Sequence, residues 1–252
     1  MSLCVVFFCN SKYFPKFKQT LHQLRTAGEY KGEIVLAIGN DLLDKQESIQ
    51  NEYDVTVKHF PDIVFNDKFL SYFNTIKRDG LWRNKIFQYH KFYLFDEYFK
   101  QWKYIFYLDC GVKIFRPIQT IIDSKSENTM LARNDPWGPF INKWSLATQF
   151  DMECDVFPPM NQLFHLDTIK NYFQTTIMLF DTQIIESTTF QDLNDLANKY
   201  PCSITNDQAI IALYYICINP KWKELPIEDD TQYFYDYKPR NNKKPYIIHK
   251  WH

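Results

Sequence analysis

Short apolar runs separated by stretches with helical spacing constrain this chain more than any other feature. Leu3–Cys9 (LCVVFFC) has no polar residue on either alternate set, so a strand there is buried on both faces, as in a parallel sheet. Residues 15–27 then place Phe17, Leu21 and Leu24 at helical spacing behind Pro15, which suits a first helical turn. Glu33–Ile38 (EIVLAI) reads as a second buried strand, 41–50 as helical and 55–60 as a third, shorter strand. The order β-α-β-α-β is that of an open α/β sheet.

The same reading continues along the chain. Residues 82–99 predict one long amphipathic helix with Ile86, Tyr89, Phe92, Tyr93 and Tyr98 on its apolar side and Lys85 and Lys91 along it. Tyr104–Leu108 (YIFYL) is a buried strand that stops at Asp109-Cys110-Gly111, and apolar character resumes over 112–115. Short strands are expected at 130–132, 176–180 and 246–248, and helices at 190–200 and 205–215. The last of these opens on a capping box of Thr205 and Gln208. Residues 134–162, which carry prolines and tryptophans, are expected to be irregular and surface-lining, and 221–244 to be the loosest stretch, though ordered by its aromatics. There is no internal repeat.

The chain of 252 residues suits a single α/β domain, and its formal charge of −1 argues against a nucleic-acid partner. The basic cluster at 238–244 is broken by Pro239 and reads as a solvated loop. A hydrophobic content of 45% excludes a disordered chain. Glycine decides more. The six glycines fall at positions that form neither G-x-G-x-x-G nor a P-loop, so any phosphate must be held by side chains or a metal. The six cysteines include no C-x-x-C pair, and no basic-apolar leader or run of about 18 apolar residues occurs. Reduced thiols in a cytoplasmic compartment, with no membrane span, are expected.

Four places carry polar residues where chemistry is possible. Asp109 directly follows a buried strand, where α/β sheets bind ligands; it could hold a divalent cation or merely cap a turn. His249 follows the strand-like PYII and could join it as a ligand or be a packed histidine. Asp207 and Gln208 stand at a helix start, where an anion also stabilises the helix dipole. Lys85 could neutralise a phosphate or simply be solvated.

In order, VVFFCNSKYFPKFKQTLHQLR, WRNKIFQYHKFYLF, YIFYLDCGVKIFRPI, YFQTTIMLFDTQ, and ITNDQAIIALYY followed by KPYIIHKWH resemble five segments of the GT-A fold glycosyltransferases. Within that fold they resemble family 8, the glycogenin- and galactosyltransferase-like group. The resemblance implies a single-domain α/β, Rossmann-like GT-A fold: a mixed, mostly parallel sheet flanked by helices. Its nucleotide-binding half would span 1–116 and its acceptor and sugar half 117–252. It implies transfer of a sugar, with retention of configuration, from a nucleoside-diphosphate sugar (a UDP-sugar above all) to a hydroxyl of a glycan or protein. An Asp acting as base would instead give inversion.

Carried over by residue, Phe8, Asn10 and Tyr13 correspond to the loop that holds base and ribose, and Lys85 to the basic residue near the donor. Asp109 and His249 correspond to ligands of Mn2+ or Mg2+, and Lys250 could reach the diphosphate. Gln174, Thr175, Thr176, Asp207 and Gln208 would surround the transferred sugar, and Asn134 and Asp135 would line the donor and acceptor site. The chain departs from the pattern at Gly111, where the family's D-x-D has its second aspartate. Metal held with water in its place, metal-independent catalysis balanced by Lys or Arg, and a binding protein without turnover are all compatible with that change. Thr176 and Thr205-Asn206 stand where the family has glycines, and the HKWH tail is shorter than the family's. A nucleotidyltransferase of similar topology would need a basic, glycine-rich loop after the first strand, which FFCNSKYF lacks.

Overall fold

The computed structural model describes residues 2–75, 85–136, 143–237 and 243–250. The apolar runs become strands β1 (Leu3–Cys9), β2 (Glu33–Ile38), β3 (Thr56–His59), β4 (Tyr104–Leu108), β6 (Met130–Asn134) and β7 (Phe173–Asp181), and an unexpected short strand, β8 (Trp222–Glu224), joins them. They form one seven-stranded sheet in the order β3-β2-β1-β4-β7-β6-β8. Pairing is parallel throughout except at β7, which runs antiparallel to both β4 and β6. The sheet is therefore mixed and mostly parallel.

Both faces are covered, which is why these strands need no polar alternation. Cys4, Val6 and Phe8 join one core with Ile105, Tyr107 and the aromatic segment 89–95. Val5, Phe7 and Cys9 join the other, with helix α1 (Phe14–Arg25) and helix α2 (Gln46–Tyr53). The first core also receives α3 (Asp67–Thr75), α5 (Phe157–Phe164), α6 (Thr189–Lys199) and α7 (Asp207–Leu213). A short helix, α4 (Gln119–Asp123), packs on the second. Burying one such Phe or Ile stabilises the fold by roughly 1.5–3 kcal/mol.

A second sheet, β5-β10-β9, is built from β5 (Lys113–Ile114), β9 (Tyr233–Asp236) and β10 (Tyr246–His249). Ile248 pairs with Ile114 and His249 with Lys113, so the C-terminal segment is pinned beside the turn that follows β4. No helix among the described residues is long and apolar enough to cross a membrane.

Three expectations are corrected. The long helix over 82–99 is not an α-helix in its described part. Ile86–Phe95 and Glu97–Gln101 are 3-10 segments, broken at Asp96, whose carboxylate accepts from the Tyr98 N–H at 2.8 Å. Residues 89–95 are buried on all sides while Ile86 is 44% exposed, so an amphipathic stripe is not what places them. Trp82 lies outside the described residues. The span 134–162 ends inside α5, whose Pro158 and Pro159 fall at its first turn, where a missing N–H costs nothing. The stretch 221–244, expected to be ordered, contains β8 and β9. Finally, the capping box at Thr205 does not form. Asn206 precedes α7 at φ 57°, and the Gln208 side chain is drawn instead to Gln149, at 2.8 Å.

Candidate active site

The direction of β7 brings the polar residues together. Because β7 is antiparallel, its first residues lie against the last residues of β4 and β6. Leu108 pairs with Ile177, the Asp109 N–H donates to the Thr176 carbonyl at 2.9 Å, and the Asp135 N–H donates to the Tyr172 carbonyl at 2.7 Å. Asp109, Asp135 and Gln174–Thr176 therefore share the edge of the sheet where β1 also ends in Asn10. Helix α7 starts against the same edge and adds Asp207 and Gln208.

The centre of this edge is a buried ion cluster. Lys91 Nζ stands 3.1 Å from Asp109 Oδ1, 3.0 Å from Asp207 Oδ2 and 3.0 Å from Thr175 Oγ1. The Thr175 hydroxyl donates to Asp207 Oδ2 at 2.9 Å, and the Tyr107 hydroxyl donates to Asp109 Oδ1. Strand alternation explains the second contact: residues 107 and 109 point to one side of the sheet. Lys250, directly after β10, places Nζ at 2.5 Å from Asp109 Oδ2.

Charge and burial oppose each other here, and proximity of opposite charge prevails at two groups. Burial by itself would raise the Asp109 carboxyl, but Lys250 and Lys91 outweigh it and hold the group well below the usual carboxylate range. Burial by itself would lower Lys91, yet Asp109 and Asp207 keep it above the ordinary lysine value. Asp207 goes the other way: its burial outweighs the one ammonium it shares with Asp109, and its carboxyl is raised.

Around the cluster runs a second polar layer. The Thr175 N–H donates to Gln208 Oε1 at 3.3 Å, and Gln208 Nε2 donates to Gln149 Oε1 at 2.8 Å. Gln174 bridges Tyr235 and Asp135: the Tyr235 hydroxyl donates to its Oε1 at 3.2 Å, and its Nε2 donates to Asp135 Oδ1 at 2.7 Å. Asp135 is raised, first by burial, with the Gln174 and Tyr172 hydrogen bonds pulling it back. Asn134 accepts from the Tyr172 N–H at 3.3 Å.

Of the residues expected from sequence, Lys250 touches Asp109 and Thr175 touches Asp207, the two pairs joined through Lys91, with Gln208, Thr176, Gln174 and Asp135 in the surrounding layer. Others lie elsewhere. Lys85 caps the start of the 3-10 segment, and its side chain makes no ion pair among the described residues. Phe8 is packed in the core between Phe60 and Tyr107, at 6.2 and 6.3 Å between ring centroids. Asn10 accepts the Tyr13 N–H at 3.2 Å and shapes the entry to α1, with Tyr13 half-buried at its start. His249 is buried in β10 with its ring edge-on to Tyr246 at 4.7 Å between centroids. Sequence reading passed over Lys91, Tyr107 and Gln149. The signal for Lys91 was its place in QYHKFYLF: a lysine inside an aromatic run must meet a counter-charge.

The donor set does not fit a divalent cation. Such ions take oxygen-rich shells of about six ligands. Here both Asp109 oxygens already accept from Tyr107, Lys91 and Lys250, and Gly111 offers no carboxylate. No group of three or more His, Cys, Asp or Glu side chains among the described residues is placed to hold an ion. Gly111 sits at φ +95°, and a β-carbon there would stand 3.1 Å from Lys16 Cδ.

No protein-family model matches the chain, and no curated protein sequence matches it. Solved structures do. An active-site mutant of LgtC aligns with a TM-score of 0.63 at 11% identity, covering 98% of this chain and 86% of that one. The galactosyltransferase LgtC with donor and acceptor sugar analogues gives 0.57 at 12% identity, over 88% and 72%. The bifunctional glycosyltransferase WbbM gives 0.57 at 14%, covering 94% of this chain, which spans 40% of the length of WbbM. Core-mannan synthase A from Aspergillus fumigatus, in a manganese and GDP form, gives 0.51 at 9%, over 92% and 76%. These likenesses establish the fold: the chain has the mixed, mostly parallel sheet and flanking helices of the GT-A glycosyltransferases.

Proposed function

We propose that this chain, which has the GT-A fold, transfers a sugar from a nucleoside-diphosphate sugar, a UDP-sugar above all, to a hydroxyl of a glycan or protein acceptor. The observation that carries the reading is the Lys91–Asp109–Asp207–Lys250 cluster at the carboxyl end of β4, where α/β folds bind ligands. In this reading residues 1–116 hold the nucleotide and 117–252 the sugar and acceptor. Six thiols without a disulfide fit a reducing, cytoplasmic setting.

The chemistry asks for stabilisation of a departing diphosphate. Ammonium groups fixed before reaction supply it without reorganisation, and burial strengthens their effect. Lys91 is held in place by Asp109, Asp207 and Thr175, and Lys250 by Asp109. Asp207, Gln208 and Asp135 form an oxygen-rich wall that would orient the sugar hydroxyls. Burial raises the Asp135 carboxyl above the usual carboxylate value, against the pull of its Gln174 hydrogen bond. Retention of configuration is what the resemblance to family 8 implies.

Thermal-shift screening of UDP- and GDP-sugars tests the reading. One donor is expected to raise the unfolding temperature of the wild type, and Asp109→Ala to abolish that gain. Equal stabilisation of both forms would remove Asp109 from the site. Gly111 favours a second reading, a protein of this fold that binds the donor without turnover. A donor-hydrolysis assay on protein already seen to bind separates the two.

A further inference from the structure

We propose that donor binding in this protein is independent of divalent metal, because Lys250 and Lys91 supply the positive charge that meets the diphosphate. The inference rests on the donor-site reading above and adds what neutralises the donor. Three lysines from three separate elements approach the turn at residues 109–111, two by their ammonium groups and Lys16 by its stem, its own ammonium lying over the Tyr13 ring at 5.6 Å from the centroid. Lys91 comes from the 3-10 segment and Lys250 from the end of β10. Lys16 comes from α1 and runs its stem across Gly111. Two of them occupy both oxygens of the one carboxylate from which a metal site here would have to start.

The second carboxylate is excluded by the backbone as well as by the sequence. At φ +95° residue 111 takes a conformation that side-chain-bearing residues rarely adopt, and the space beyond it belongs to Lys16. The cluster is also built for exchange. Lys91 is 7% exposed and tied to two carboxylates, whereas Lys250 is 18% exposed and tied to one. An incoming diphosphate can therefore take Lys250 from Asp109 while Lys91 stays as the counter-ion that keeps Asp109 from repelling it. With two ammonium groups against two carboxylates, the cluster is neutral before binding and presents no net negative charge to an anion.

Isothermal titration of the full chain with UDP and with GDP, in excess EDTA and in excess MnCl2, tests this. At least one nucleotide is expected to bind with the same affinity, within about twofold, in both conditions. Lys250→Ala should weaken that binding about tenfold, the scale of one lost charge-assisted hydrogen bond. Lys250→Arg should restore most of it, and its thermal unfolding without nucleotide should stay near wild type, so that the loss in Lys250→Ala is read against a folded, charge-retaining control. Binding that appears only with MnCl2, or is indifferent to Lys250→Ala, would overturn the inference and leave the donor site standing. Failure of both nucleotides to bind in either condition would overturn the donor-site reading, and the inference with it.

Discussion

Lys91 is the residue on which the rest of the site leans. Its ammonium group is buried and shared by Asp109 and Asp207, so removing it would leave two carboxylates facing each other with little water. Breaking a buried pair from one side costs about 3–5 kcal/mol. Lys91→Ala is expected to lose that much in urea unfolding, whereas Lys85→Ala, on a half-buried side chain without an ion pair among the described residues, should lose under about 0.5 kcal/mol. Similar losses for the two would contradict the placement of Lys91. Sequence made Lys85 the candidate because spacing alone cannot say which lysine of a stretch turns inward. Asp109 and Asp207 were legible because a strand end and a helix start declare themselves in the pattern, and a lysine among aromatics does not.

At the scale of elements, the turn from β4 into β5 and the direction of β7 decide the site. Runs such as FQTTIMLFD announce a buried strand but carry no sign of which way it runs. The antiparallel seating of β7 therefore had to come from the structure, and with it the meeting of Thr176 with Asp109. The 3-10 segments were illegible for a related reason. Residues 89–95 of the first are buried on every side, so the helical period that spacing arguments need is lost there. The turn itself makes a prediction. Gly111→Ala must hold φ +95° with a β-carbon, which costs about 1–2 kcal/mol. Chemical denaturation should report that loss, with the Lys16 stem shifting aside. An unchanged midpoint would mean the turn has a second conformation open to it.

For the whole molecule, stability should depend on pH through His90. The ring lies in the core against Phe87, and burial pushes its pKa down to about 4. Asp62, 3.2 Å away, pulls in the other direction, but it is 61% exposed and water screens it. Asp41 adds a weaker upward pull and His59 a downward one. The folded value lies below that of the unfolded chain, about 6.5, so the unfolded state takes the proton first. The contribution is complete above the unfolded value and is lost as pH falls toward about 4, with about 2 kcal/mol of it gone between pH 7 and pH 5. His90→Asn should lower the stability yet flatten that slope; equal slopes would exonerate His90. The overall architecture was the most legible level, because continuous apolar runs leave a mostly parallel sheet with two covered faces as the natural way to bury them.

The account as a whole turns on where a donor nucleotide sits. A crystal structure of the protein grown with UDP or GDP locates it directly. The expected result has the diphosphate at the carboxyl end of β4, within hydrogen-bond distance of Lys250. A nucleotide bound away from that edge, with Lys250 still closed on Asp109, would contradict the account.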